Sequence, residues 1–134
     1  MSQESIDLVT RALEAVYRRP KPDFDTINAL YHPEHVLASV MSTSLGEEER
    51  VGVRGYQDFL GESVMTWEGT LGGVVDVAPN IVLSVATVRA KGASTGLETE
   101  QRLWSISKVA GGKIIRTEVF GDPADALEAA RERD

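Results

Sequence analysis

The sequence predicts an α+β domain, and three observations carry that prediction. Helical apolar spacing dominates the first half of the chain, four segments rich in Val, Ile, Thr and Trp follow, and turn chemistry separates those segments. The 134 residues match one domain of roughly 100–150 residues, and neither an internal repeat nor a linker divides residues 1–134.

Ile6, Val9, Leu13 and Val16 form one apolar stripe with Tyr17 beside it, so the first segment is a helix that Pro20 and Pro22 stop. Asp23 is a good N-cap for a second helix burying Phe24, Ile27, Leu30 and Tyr31, which ends before Pro33. Val36–Ser42 suits a short strand, Gly46–Arg50 an acidic loop, and from Val53 a third helix buries Tyr56, Phe59, Leu60 and Val64, with Trp67 at its end. Thr70–Ala78, Ile81–Lys91, Leu97–Lys108 and Lys113–Phe120 read as strands. Pro79-Asn80, Gly92–Gly96 and Gly111-Gly112 connect them tightly enough for an antiparallel meander. Asp122-Pro123 opens a short last helix, N-cap first and proline next.

Composition narrows the chemistry. With no cysteine, thiolate catalysis, Cys-ligated zinc and iron–sulfur clusters are excluded, and a cytoplasmic location is expected. A net charge of −7 argues against nucleic acid or an anionic membrane as partner, because both reward clustered Lys and Arg. Met1–Asp7 is polar and acidic, without the apolar run of a signal peptide or spanning helix.

Three stretches carry a family resemblance: Phe24–Tyr31 followed by His35-Val36, then Gly55–Leu60, then Gly112–Arg116 leading through Phe120-Gly121-Asp122 to Ala126–Ala129. In order and spacing the chain resembles the SnoaL-like branch of the nuclear transport factor 2-like superfamily over nearly its whole length. The resemblance implies a cone, a curved antiparallel sheet packed against the N-terminal helices with a pocket between them and a short C-terminal helix. Relatives include isomerases, epoxide hydrolases, polyketide cyclases, dehydratases and proteins with no chemistry, so the pocket has to be argued by residue.

Strand alternation allows two inward faces. One carries Gln101, Leu103 and Ser105 with Ile115, Thr117 and Val119; the other carries Glu100, Arg102, Trp104 and Ile106 with Ile114, Arg116, Glu118 and Phe120. On the second face, Arg102 opposite Glu118 and Trp104 opposite Arg116 would make an ion pair and a cation–π contact. The resemblance favours the first face inside, because pocket-lining family positions fall on Gln101, Leu103 and Val119. The second would then be a homodimer interface of Arg102, Trp104, Ile106, Ile114, Arg116 and Phe120. Family catalytic positions meet unsuitable residues. The isomerase base falls on Ser39 and its oxyanion donors on Leu103 and Leu13, while the acids of epoxide hydrolases and cyclases fall on Leu103 and Val119. None of these can exchange the required proton.

The expected ligand site is therefore a largely apolar cavity: Leu13, Leu37, Met41, Phe59, Trp67, Leu103 and Val119, with Tyr17, Ser39, Gln101 and Thr117 as polar points. Two catalytic candidates remain. His35 begins the strand beside the pocket, and Glu118 would act as base, held ionised by Arg102, if the inward face slipped by one residue. His32 and His35 lack a third ligand, so no metal site is expected, and no cofactor either. Glu47–Arg50 reads as a solvated loop, and Gly92–Gly96 lacks the Lys and following helix of a phosphate loop. Arg89 and Lys91 read as solubilising rim charges.

Together these features predict a domain binding a small apolar or aromatic molecule. The alternatives are a lyase, isomerase or hydrolase acting on a polyketide- or terpenoid-like substrate, and a non-catalytic dimeric interaction protein.

Overall fold

A computed structural model describes residues 2–19, 21–39, 50–51, 65–92 and 96–133. Helix α1 (Ser2–Tyr17) presents Val9, Leu13 and Val16 to the core, and α2 (Phe24–Leu30) presents Ile27 and Leu30. Asp23 caps α2: its carboxylate accepts the backbone N–H of Thr26 at 3.3 Å and the Thr26 hydroxyl at 2.7 Å. The helix ends earlier than the apolar spacing implied. Tyr31 is its C-cap, with φ −97° and ψ 140°, and already begins a strand.

That strand, β1 (Tyr31–Ser39), starts five residues before the expected Val36. It accommodates Pro33 because the pairing is irregular between Tyr31 and Val36, where no continuous ladder needs the missing N–H. A two-residue strand β2 (Arg50–Val51) includes the end of the expected acidic loop. Strand β3 (Met65–Ala78) includes Trp67, whose backbone pairs with Ala90, so Trp67 ends no helix. The expected helix from Val53 through Val64, with Phe59, and the position of Met41 lie outside the described residues.

Strands β4 (Ile81–Gly92), β5 (Glu98–Ala110) and β6 (Lys113–Phe120) complete a six-stranded sheet in the order β2-β1-β6-β5-β4-β3. The run from β3 to β6 is the expected antiparallel meander. The β1–β6 pairing is parallel, so the sheet is mixed. Asn80 (φ 62°), Gly111 (φ 57°) and Gly112 (φ 75°) supply the left-handed conformations that the two tight hairpins require.

Two apolar clusters occupy opposite sides of this curved sheet. On the inner side, Val82, Val109, Ile114 and Leu37 pack against α1 and α2. On the outer side, Ile81 and Ile106 pack against Ala126, Ala129 and Ala130 of α3 (Pro123–Arg133). Helix α3 starts as its sequence implied, with the Asp122 carboxylate accepting the Ala124 N–H at 2.7 Å and Pro123 at the first helical position.

Candidate functional site

Residues paired across neighbouring strands share a face, so the register defines the inner surface row by row. One row runs Val119, Ser105, Ser84 and Val74, with Ser39 at the register position beyond Val119. The next runs Leu37, Thr117, Ser107, Val82 and Asp76. Beyond them come Leu103–Ala86–Leu71 and then Gln101–Val88–Gly69.

This is the first of the two faces considered above, with one exchange. A bulge between Lys108 and Val109 leaves Ile115 as the extra residue of β6. Ile114 rather than Ile115 therefore joins the inner core, where it is wholly buried. The outer register also differs from the pairing proposed from sequence. Trp104 faces Phe120, Ile106 faces Glu118 and Lys108 faces Arg116, whereas Arg102 pairs with Thr87 of β4.

Leu13 and Leu37 are buried in the inner cluster, and Tyr17 and Val119 pack against it. Leu103 is half-buried and Gln101 is exposed. Tyr17 lies flat on β3 at Gly69, where a Cβ would come within 2.6 Å of its Cε1. Burial pushes the Tyr17 phenol above its ordinary range, with Arg19 opposing the shift.

The deepest polar group on this side is His35, at 0% exposure. Its Nε2 and the Thr117 hydroxyl are hydrogen-bonded at 2.8 Å, the direction of donation depending on the tautomer. The ring stands edge-on to Tyr31, with centroids 4.9 Å apart and an interplanar angle of 87°. Burial, reinforced by the positive charge of Arg116, lowers the His35 pKa to about 4, so the imidazole is neutral at pH 7. His32 is half-buried, its Nδ1 accepting the Glu34 N–H at 2.9 Å. Among the described residues no group of three metal-ligating side chains assembles.

Glu118 occupies a different environment. It is buried on the outer face, where its two carboxylate oxygens accept hydrogen bonds from Arg133 Nε and Nη2, each at 2.8 Å. Arg116 Nε lies 3.4 Å from the same carboxylate. The slipped register that would turn Glu118, Arg102 and Glu100 inward is not the one formed. The carboxylate anchors α3 instead. Helix α3 also changes the expected dimer surface: it covers Ile106, while Ile114 lies on the other side of the sheet.

Sequence reasoning did not single out Ser84 and Ser107, and it left Ser105 out of the site. All three are buried on the inner face, at 3%, 2% and 8% exposure respectively. The available signal was their even spacing with Val82 and Ala86 in β4 and with Val109 in β5. A serine inside a strand otherwise suggests a solvent-facing position.

A separate groove of ≈ 650 Å³ opens at the far end of β3–β5. It is lined by Arg19, Glu68, Arg89, Lys91, Glu98 and Glu100, and the Arg89–Glu100 ion pair spans 3.0 Å. Arg89 and Lys91, expected as solvated rim charges, thus sit opposite carboxylates in the strand register.

No family model matches the sequence and no curated protein matches it. Solved structures do match. An LEH-like epoxide hydrolase from M. tuberculosis is 20% identical, with 95% of this chain and 84% of that one covered at TM-score 0.70. TerC, co-crystallised with polyporic acid, is 16% identical over 93% of this chain and 98% of its own, at TM-score 0.73. A proposed SnoaL-like polyketide cyclase from Jannaschia is 14% identical over 96% and 94%, at TM-score 0.71. The chain has the nuclear transport factor 2-like fold. Its helices, mixed curved sheet and short C-terminal helix match the cone that the resemblance implied. At these identities the nuclear transport factor 2-like architecture is what is shared; activity has to come from the chain's own residues.

Proposed function

We propose that this domain binds a small, uncharged hydrophobic molecule on the inner face of the sheet, without a resident acid–base pair. One observation carries the reading. The side chains buried on this face in β1, β4, β5 and β6 include hydroxyls and one neutral imidazole but no carboxylate, and the carboxylate in these rows, Asp76, is only half-buried on the edge strand β3. The only buried carboxylate among the described residues, Glu118, is bound to Arg133 on the opposite face. Proton-transfer catalysis near neutrality needs groups whose pKa values are tuned toward the working pH. His35 is displaced away from it and already hydrogen-bonded to Thr117.

Leu13, Leu37, Leu103 and Val119 would supply apolar walls, with Tyr17 as an aromatic one. The likeness to TerC, crystallised with polyporic acid, and to the proposed polyketide cyclase supports an aromatic or polyketide-like ligand. The absence of cysteine supports a cytoplasmic setting, and no described helix is long and apolar enough to cross a membrane. We also infer a homodimer through the part of the outer face left by α3, centred on Arg102, Trp104 and Phe120. Sedimentation equilibrium of the protein and of Trp104→Glu tests that inference, and a monomeric parent chain would overturn it.

Thermal unfolding against a panel of aromatic polyketides, terpenoids and their carboxylated analogues tests the binding reading. A ligand at 100 times its Kd adds about 2.7 kcal/mol of stability, a rise of several degrees in Tm. The expected outcome is such a rise for uncharged aromatic members of the panel. No rise with any member would overturn the reading.

A further inference from the structure

The charges that line the groove at the far end of β3–β5 follow a pattern. In the strand register Glu68, Arg89 and Glu100 make one row, and Lys91 and Glu98 belong to the next. The middle strand, β4, thus brings cations, and the strands on either side of it bring carboxylates. Arg19 joins them from the end of α1, where its Nη1 donates to the carbonyls of Arg18 at 2.7 Å and Val16 at 3.3 Å. Its guanidinium is attracted by Glu68. Three cationic and three anionic side chains leave the groove without net charge, although the whole chain carries −7.

A ligand of one sign gains little in such a groove, because each counter-charge stands beside a charge that repels it. A ligand carrying both signs finds a partner for each. The Arg89–Glu100 pair gives it a place to enter: the two side chains are 68% and 57% exposed, and ion pairs so exposed contribute little and open readily. Length selects the ligand further. Rows two residues apart along a strand are separated by about 7 Å. An extended dipeptide holds its terminal ammonium and carboxylate about 6–7 Å apart, whereas a free amino acid holds them within about 3 Å. The groove volume of ≈ 650 Å³ is ample for two residues.

We propose that this groove binds a dipeptide-length zwitterion by its two ends, the carboxylate taking the guanidinium of Arg89 and the ammonium reaching Glu98 one row along. Charge complementarity carries the inference, which is independent of the ligand-binding reading of the inner face. Because the contacting side chains are exposed, binding is weak and sensitive to salt.

Titration of the intact, ¹⁵N-labelled protein at pH 7 and low ionic strength, followed by the amide resonances, tests the site. The probes are L-alanyl-L-alanine, its N-acetylated form, its C-terminal amide and free alanine. L-Alanyl-L-alanine is expected to shift the resonances of residues 89–91 and 98–100 with a Kd on the order of millimolar. Each of the other three should bind at least about threefold more weakly, since each forfeits one end contact or the span between rows. Arg89→Gln and Glu98→Gln should each bring the dipeptide down to that weaker level, with resonances outside the groove unmoved as the sign of an intact fold. Capped or single-residue probes that bind as tightly as the dipeptide, variants that bind it undiminished, or no shift with any probe would overturn the proposal. Groove resonances that move with protein concentration alone would also overturn it, by assigning the groove to a second copy of the chain.

Discussion

His35 and Thr117, 82 residues apart in sequence, meet in the core through a 2.8 Å hydrogen bond between ring and hydroxyl. The folded pKa of His35, about 4, lies below its ordinary 6.5, so the unfolded chain takes up this proton first as the solution is acidified. Stability tied to His35 is complete above pH 6.5 and is lost as pH falls toward 4. Urea unfolding at pH 7 and pH 4.5 should show a loss on the order of 2–3 kcal/mol from this group. In His35→Gln the pH 7 stability should be lower and the acid-side slope shallower. An unchanged slope would assign the acid sensitivity to another group.

The Glu118–Arg133 pair ties α3 to β6 through two hydrogen bonds of 2.8 Å. Arg133 is partly exposed while Glu118 is not, so the loss on disrupting the pair is smaller than for a fully buried one. Glu118→Gln should cost about 2 kcal/mol in denaturant unfolding. It should also raise amide exchange in residues 123–133 before the rest of the chain opens. Uniform exchange throughout the protein would show that α3 has no separate opening.

Tyr17 rests against Gly69, where an added methyl would overlap its ring. Gly69→Ala should destabilise by about 1–3 kcal/mol, since neither the helix end nor the strand can give way freely. Shortening the ring partner should relieve this: Tyr17→Ala and Gly69→Ala together should cost less than the sum of the two alone. Additive losses would place the strain of Gly69→Ala in the β3 backbone rather than against Tyr17.

Several elements were legible because one local signal determined each of them. The stripe through Val9, Leu13 and Val16, the Asp23 and Asp122 caps, and the turns at Pro79-Asn80 and Gly111-Gly112 depend on neighbours a few residues away. The end of α2 was less legible, because Tyr31 continues the helical apolar spacing while tertiary pairing with Ile114 draws it into β1. Trp67 was misassigned for a related reason, since an aromatic residue suits a helix end and a strand equally well. Face assignment along β6 failed at one residue. Alternation cannot reveal a bulge, and the bulge at Ile115 reverses inside and outside on one side of itself. The cover over Ile106 was hard to anticipate because Ala126, Ala129 and Ala130 form a helical stripe too small to stand out by hydropathy. Ser84 and Ser107 were missed because the depth of a serine depends on what lies across the sheet, information its flanking residues do not hold.

The parallel contact between β1 and β6 joins segments about eighty residues apart, so it can form only late in biosynthesis. Tyr31 cannot meet Ile114 until translation has passed the last hairpin, so the amino-terminal helices leave the ribosome without the strand that completes their core. Greasy side chains of α1 and α2 stay uncovered throughout that interval, and a nascent chain stalled before residue 113 is the species a chaperone would find.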